Sequence, residues 1–251
     1  MCENDRLLGT LDPAAGTAGV LIVSGGNEVR HGAHRGMAML AQTLALRDVP
    51  VFRFDRRGVG DSGGENHGWE SSAPDIAAAA AAFRAAQPQI TRLIGFGNCD
   101  AATSLALFGR AAGIDALVLA NPWAGDDDPL PPPAAIRARY VQRLRDPAQW
   151  TRLLRGGVDI RKLVSGLRKA ARNMPEPPLA ARIAAALRDT PLTLVLARGD
   201  RTAQAFASCW RGPGFAGIAP HARVFEIDTA SHSFAGHAGE LERAVLAAVT
   251  R

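Results

Sequence analysis

Arg92-Leu93-Ile94-Gly95-Phe96-Gly97-Asn98-Cys99-Asp100-Ala101 runs from an apolar strand through a sharp turn into a helix that continues to about Ala111. Small residues stand two positions before and two after Cys99. This is the pattern G-x-nucleophile-x-small, with Cys where Ser is usual. A tight strand-to-helix turn holds the nucleophile in strained geometry, and larger flanking side chains would strike the neighbouring strand or helix. The turn also sets the thiol at a helix N-terminus, where the positive end of the dipole favours a thiolate. A buried structural cysteine is the ordinary alternative, and the position in the turn argues against it.

Outward from this stretch, strands and helices alternate. Before it come the apolar run Gly19 to Ser24, a helix around Ala38 to Leu46, the strand Val51 to Asp55 and a helix from Asp75 to Ala86. After it come Ala116 to Ala120, Leu192 to Ala197, Arg223 to Ile227 and a helix from about Gly239 to Val249. Near-continuous apolar strands alternating with helices predict an α/β fold with a mostly parallel, doubly wound sheet covered on both faces. The rhythm breaks after Asn121-Pro122-Trp123, so residues 1–123 and 190–251 read as the core and 124–189 as an inserted basic helical cap.

Composition excludes several classes. A chain of 251 residues with 47% hydrophobic and 21% charged residues can bury a core. No stretch reaches the ~20 apolar residues of a membrane span, and the polar start lacks the apolar run of a signal peptide, which predicts a cytoplasmic protein. Cys2, Cys99 and Cys209 are odd in number, far apart and without C-x-x-C spacing, against both a disulfide framework and a structural zinc site. The formal charge of +5 is uneven: Ile136 to Asp189 holds 13 Arg plus Lys against 4 Asp plus Glu. Within it Arg137, Arg139, Arg143, Arg145, Arg152 and Arg155 interleave with an apolar stripe that includes Tyr140, Leu144 and Trp150. These arginines are either solvated helix faces or contacts for an anionic partner, and Arg137, Arg139, Arg143, Arg152 and Trp150 are the substrate-binding candidates.

A thiol of ordinary pKa, ~8.5, needs a base beside it. His232 lies in the loop between the last strand and the last helix, from which it can reach back over the sheet edge; the other five histidines are placed less well. A carboxylate should orient it. Asp200, in the Gly199-Asp200 turn after the strand Leu192 to Ala197, is favoured over Asp228 and Asp126 to Asp128. Ser24-Gly25-Gly26-Asn27 ends a strand, so the N–H groups of Gly26 or Asn27, with that of Asp100, would form an oxyanion hole. Asp55-Arg56-Arg57-Gly58-Val59-Gly60-Asp61-Ser62 lacks the third glycine of a dinucleotide fingerprint and reads as a structural loop.

Together, the D-x-R-G-x-G-x-S loop at Asp55 to Ser62, the turn at Gly97 to Ala101, Gly199-Asp200 and Ser231-His232 resemble the α/β-hydrolase superfamily over nearly the whole chain. The chain order Cys99, Asp200, His232 matches that fold's nucleophile, acid and base. Cys99-Asp100, Ser24 to Asn27 and Gln149 to Gly157 resemble the first of the two hydrolases associated with the exosortase A system, which implies a setting of exopolysaccharide and protein-sorting gene clusters. The cysteine also resembles that of dienelactone hydrolase, whereas the basic insertion departs from it.

The expected function is hydrolysis of an ester or thioester through an acyl-enzyme on Cys99. No cofactor, metal or nucleic acid is called for. A coenzyme A thioester or an acidic acyl carrier suits the basic segment. Two alternatives stand beside it: acyl transfer to a sugar or carrier acceptor, and a non-catalytic binding protein in which Asp100, beside Cys99, blunts the thiol. A mechanism with Asp100 as nucleophile fits least, because Asn98 then stands where a small residue belongs.

Overall fold

The computed structural model describes residues 2–125 and 178–250. Its strands are β1 (Gly9–Asp12), β2 (Ala18–Val23), β3 (Val51–Phe54), β4 (Arg92–Asn98), β5 (Ala116–Ala120), β6 (Leu192–Ala197) and β7 (Arg223–Ile227). Its longer helices are α1 (Gly36–Ala45), α2 (Ala73–Ala86), α3 (Asp100–Phe108), α4 (Pro178–Leu187), α5 (Arg201–Trp210) and α6 (Ala238–Val249). The seven strands form one sheet in the order β1-β3-β2-β4-β5-β6-β7. All neighbours are parallel except the β1–β3 pair. The expected doubly wound α/β fold is therefore present.

The period-2 alternation of strand side chains sorts the apolar residues into two cores. Leu21, Val23, Leu93, Leu117, Leu119, Leu194 and Leu196 face α2, α3, α4 and α5. Val20, Ile22, Ile94, Phe96, Val118 and Val195 face α1 and α6. Helix α2 is an alanine run with Pro74 in its first turn, and alanine is the best helix former. Helix α3 buries Ala101, Ala102, Thr103, Ser104, Leu105 and Ala106 between the sheet, α2 and α4. Its close approach depends on missing side chains in β4, since a Cβ on Gly97 would lie 2.8 Å from the Ala101 carbonyl carbon and one on Gly95 2.9 Å from Leu105.

Three features depart from the sequence reading. Strand β1 has no apolar alternation to announce it; it is tied to the sheet by pairing with β3 and by Arg53, which donates to Asp12 at 2.9 Å. Helix α5 follows Asp200 directly and rests on Ala203 and Phe206. Helix α4, assigned to the end of the insertion, buries Ala180, Ile183, Ala184 and Leu187 in the same core cluster as α3. Its i, i+3, i+4, i+7 stripe needs an apolar partner and finds it in that cluster. Residues 126–177, with Arg137, Arg139, Arg143, Arg145, Arg152, Arg155 and Trp150, lie outside the described residues, as do the acid candidates Asp126 to Asp128. Among the described residues no helix is long and apolar enough to cross a membrane.

Candidate active site

Cys99 stands between β4 and α3 with φ 61° and ψ −127°. A positive φ is costly for a side-chain-bearing residue and persists only where neighbours over-determine it. Here the Cys99 N–H donates to the Ala120 carbonyl at 3.0 Å, and the Cys99 carbonyl accepts from Trp123 N–H at 3.3 Å. The strained turn leaves the thiol half-buried at the sheet's carboxyl edge.

Asp200 is set by two neighbours. Gly199 passes so close to the next loop that a Cβ on it would lie 2.9 Å from Ala230 Cα. Asp200 caps α5, its Oδ2 accepting from Ala203 N–H at 2.9 Å, which leaves Oδ1 for His232 Nδ1 at 3.1 Å. Burial alone would raise this carboxyl, but the hydrogen bonds from His232, Ala203 and Thr202 hold it below its ordinary value. His232 is pushed up to about 10 by its hydrogen bond to Asp200 and then by one to Cys99, against the effect of burial. Its imidazole is thus protonated at neutral pH and faces the sulfur. Cys99, Asp200 and His232, far apart in the chain, are brought together. Among the described residues Asp200 is the carboxylate paired with His232; the competitor Asp228 is exposed.

Two asparagines hold the histidine from behind, and the sequence reading missed this role in both. Asn98 and Asn121 each donate through Nδ2 to the His232 carbonyl at 3.1 Å. Asn121, fully buried, also accepts from Ala197 N–H at 2.9 Å, so β5, β6 and the His232 loop meet on one side chain. The available signal was a polar residue at the end of an otherwise apolar strand. Asn121→Ala would strand the Ala197 N–H in the interior, and a buried donor left without a partner costs ~1–3 kcal/mol. The variant is expected to lose that much stability in urea unfolding and also to turn over more slowly; unchanged stability would show that the network carries no load.

The oxyanion-hole expectation needs correction at Gly26. Its N–H is engaged, donating to Asp100 Oδ1 at 2.7 Å. The N–H of Asp100, first in α3, has no partner within its own helix, as at any helix start, and Asn27 is exposed. The loop Asp55 to Ser62 is folded around Asp55, which accepts from Arg30 N–H at 2.6 Å and Asp61 N–H at 3.1 Å, while Ser62 donates to its carbonyl at 2.7 Å. One member of that loop, Arg56, also reaches the site by donating to the Gly26 carbonyl. Trp69 and Trp123 stack edge to face at 5.9 Å; their carbonyls accept from Ser104 and Thr103, respectively, in the first turns of α3. No group of three His, Cys, Asp or Glu side chains arranged to hold a metal occurs among the described residues.

A mostly parallel sheet with the Cys99 turn after its central strand, a carboxylate after β6 and a histidine after β7 has a hydrolase-type architecture. The sequence matches the model of the alpha/beta hydrolase family over residues 20–244, and the chain belongs to that family. Among solved structures it is similar to a hydrolase from Pseudomonas aeruginosa PA01, at 21% identity and TM-score 0.58, covering 100% of this chain and 97% of that one. It is also similar to the Pyrococcus furiosus esterase Pf2001, at 17% identity and TM-score 0.65, covering 99% and 86%. A third is the enol-lactonase from Burkholderia xenovorans LB400, at 16% identity and TM-score 0.58, covering 100% and 98%. At such identities the likeness is one of fold. No curated protein matches the sequence.

Proposed function

We propose that this chain is a cysteine-dependent hydrolase that cleaves an ester or thioester through an acyl-enzyme. The observation that carries the reading is His232, hydrogen-bonded to Asp200 and to Cys99 and held protonated beside that sulfur. An imidazolium next to a thiol at a helix N-terminus is the environment that generates thiolate nucleophiles. The Cys99 sulfur attacks the acyl carbonyl as the anion, and the negative charge passes to the carbonyl oxygen, which faces the N–H groups of Asp100 and Asn27. Collapse of this intermediate expels the alcohol or thiol, which takes the proton from His232. Water then attacks the thioester on Cys99, giving a proton to His232; the acid leaves and the sulfur returns as thiolate. Asp200 fixes the imidazole tautomer and stabilises the cation throughout.

Neighbours described as an esterase and an enol-lactonase support acyl chemistry in this fold. The resemblance to an exosortase A system hydrolase supports a place beside exopolysaccharide or protein-sorting pathways. The basic segment Ile136 to Asp189 favours an anionic acyl donor, such as a coenzyme A thioester or an acyl carrier. Incubation with a panel of acyl thioesters and aryl esters, followed by intact mass, is expected to reveal an acyl adduct on Cys99; turnover without one would overturn the covalent route. Exposed charge contacts are worth only ~0–1 kcal/mol each, but several acting together are salt-sensitive. KM for an anionic acyl thioester is therefore expected to rise with ionic strength while KM for a neutral short aryl ester stays put. Arg to Glu changes at Arg137, Arg139, Arg143 and Arg152 should affect the anionic substrate alone, and equal responses would make these arginines a solvated surface.

A further inference from the structure

We infer that Asp100 and Arg56 form a clamp on the Gly26 peptide that aims the Asn27 N–H at the reacting carbonyl, which makes them positioning residues for the cysteine chemistry proposed above, on which this inference rests. Gly26 is gripped at both of its backbone polar groups: its N–H donates to Asp100 Oδ1 at 2.7 Å, and its carbonyl accepts from Arg56 Nη2. The two gripping side chains come from separate elements, the first turn of α3 and the loop after β3, and their charges lie 4.0 Å apart. The Arg56 side chain is only 4% exposed and that of Asp100 16%. A guanidinium so buried needs a compensating anion. A carboxylate one residue from the nucleophile, conversely, opposes a developing oxyanion unless it is neutralised. Each charge is the other's compensation, and the shared object between them is one peptide of the loop that follows β2.

The two glycines of that loop are needed for different reasons, and both reasons serve the clamp. A Cβ on Gly25 would lie 2.6 Å from Asp100 Oδ1 and 2.7 Å from the Asn98 carbonyl oxygen, so Gly25 admits the carboxylate. A Cβ on Gly26 would meet nothing within 4 Å; what requires glycine there is φ 54°, in the left-handed region. The consequence for the site follows from peptide planarity. The Gly26 carbonyl and the Asn27 N–H belong to one trans unit and point in opposite directions. With the carbonyl held on Arg56, the Asn27 N–H is turned away from the charged pair, which makes it the loop's contribution to the oxyanion hole in place of the engaged Gly26 N–H.

The test compares Asp100→Ala, Asp100→Asn and Arg56→Met on one aryl ester, reading kcat, KM, melting temperature and the rate of Cys99 alkylation by iodoacetamide. Alkylation needs the thiolate but no oxyanion hole. Loss of an oxyanion donor costs ~10²–10³ in kcat; loss of its aim is expected to cost about 10- to 100-fold in kcat for Asp100→Ala and Arg56→Met, with KM within about twofold. The alkylation rate should stay within a few-fold, and Asp100→Asn, which can still accept from the Gly26 N–H but leaves Arg56 without its anion, should recover part of the kcat at a lowered melting temperature. A higher kcat in Asp100→Ala would make the carboxylate a plug in the hole and overturn the clamp. So would kcat, alkylation and melting temperature falling together, or no rescue by asparagine. A Cys99→Ala protein that still turns over would remove the cysteine reading itself, and this inference with it, on a different variant.

Discussion

Cys99→Ala is expected to abolish ester turnover, by at least about 10⁴-fold, because removing the nucleophile of a triad leaves only binding and oxyanion stabilisation. The same thiol should be the first to react with stoichiometric iodoacetamide. Cys2 is 3% exposed, and burial together with its hydrogen bond to Asp75 pushes its thiol up to about 11. Cys209 packs half-buried against the core. Cys99 alone stands at a helix start against a histidine held protonated up to about pH 10. The sign of the pH dependence follows from that value. The imidazolium is present below about 10 and is lost as pH rises through it, so the cation stands beside the sulfur at neutral pH. Alkylation of Cys99 at neutral pH should accordingly be slowed by His232→Gln, which removes that cation from beside the sulfur. Equal labelling of the three cysteines, or a fully active Cys99→Ala protein, would remove the nucleophile assignment.

Asp200→Asn and His232→Gln are each expected to lower kcat by about 10²-fold or more, and the double variant should lose little beyond the worse single one. A histidine without its orienting carboxylate samples the wrong tautomer, and a carboxylate without the histidine orients nothing. Asparagine is the cleaner replacement at position 200. Asp200 also caps α5 through Ala203 N–H, and alanine there would add the ~0.5–2 kcal/mol cost of a lost N-cap, confusing stability with catalysis. Multiplicative losses in the double variant would show that one of the two residues acts outside the chemistry.

Much of the architecture was legible because its signals are local. Six of the seven strands announce themselves as apolar or alternating runs, and the small residues around Cys99 mark the turn that places it. Strand β1 was not legible: Gly-Thr-Leu-Asp at 9–12 becomes a strand only because β3 offers it a ladder and Arg53 reaches its aspartate. Helix α4 carried a readable stripe, but whether that stripe served a cap or the core depended on what lay opposite, which is α3.

For the site, chain order was enough to single out Cys99, Asp200 and His232, because in a parallel sheet the loops after successive strands open on one edge. That determination belongs to the sequence alone, as does the uneven charge. Which of those groups remain available for chemistry was decided by the tertiary structure. Gly26 N–H was a sound donor candidate until Asp100, 74 positions away in the chain, claimed it. Arg56, in a loop that reads as structural, became part of the site through the Gly26 carbonyl, and Asn121 joined two strands to the His232 loop. The reason is physical: periodicity and turn chemistry act between near neighbours and set where the backbone goes, whereas buried polar groups must find partners wherever the fold brings them, and in this chain those partners lie 30 to 111 positions away.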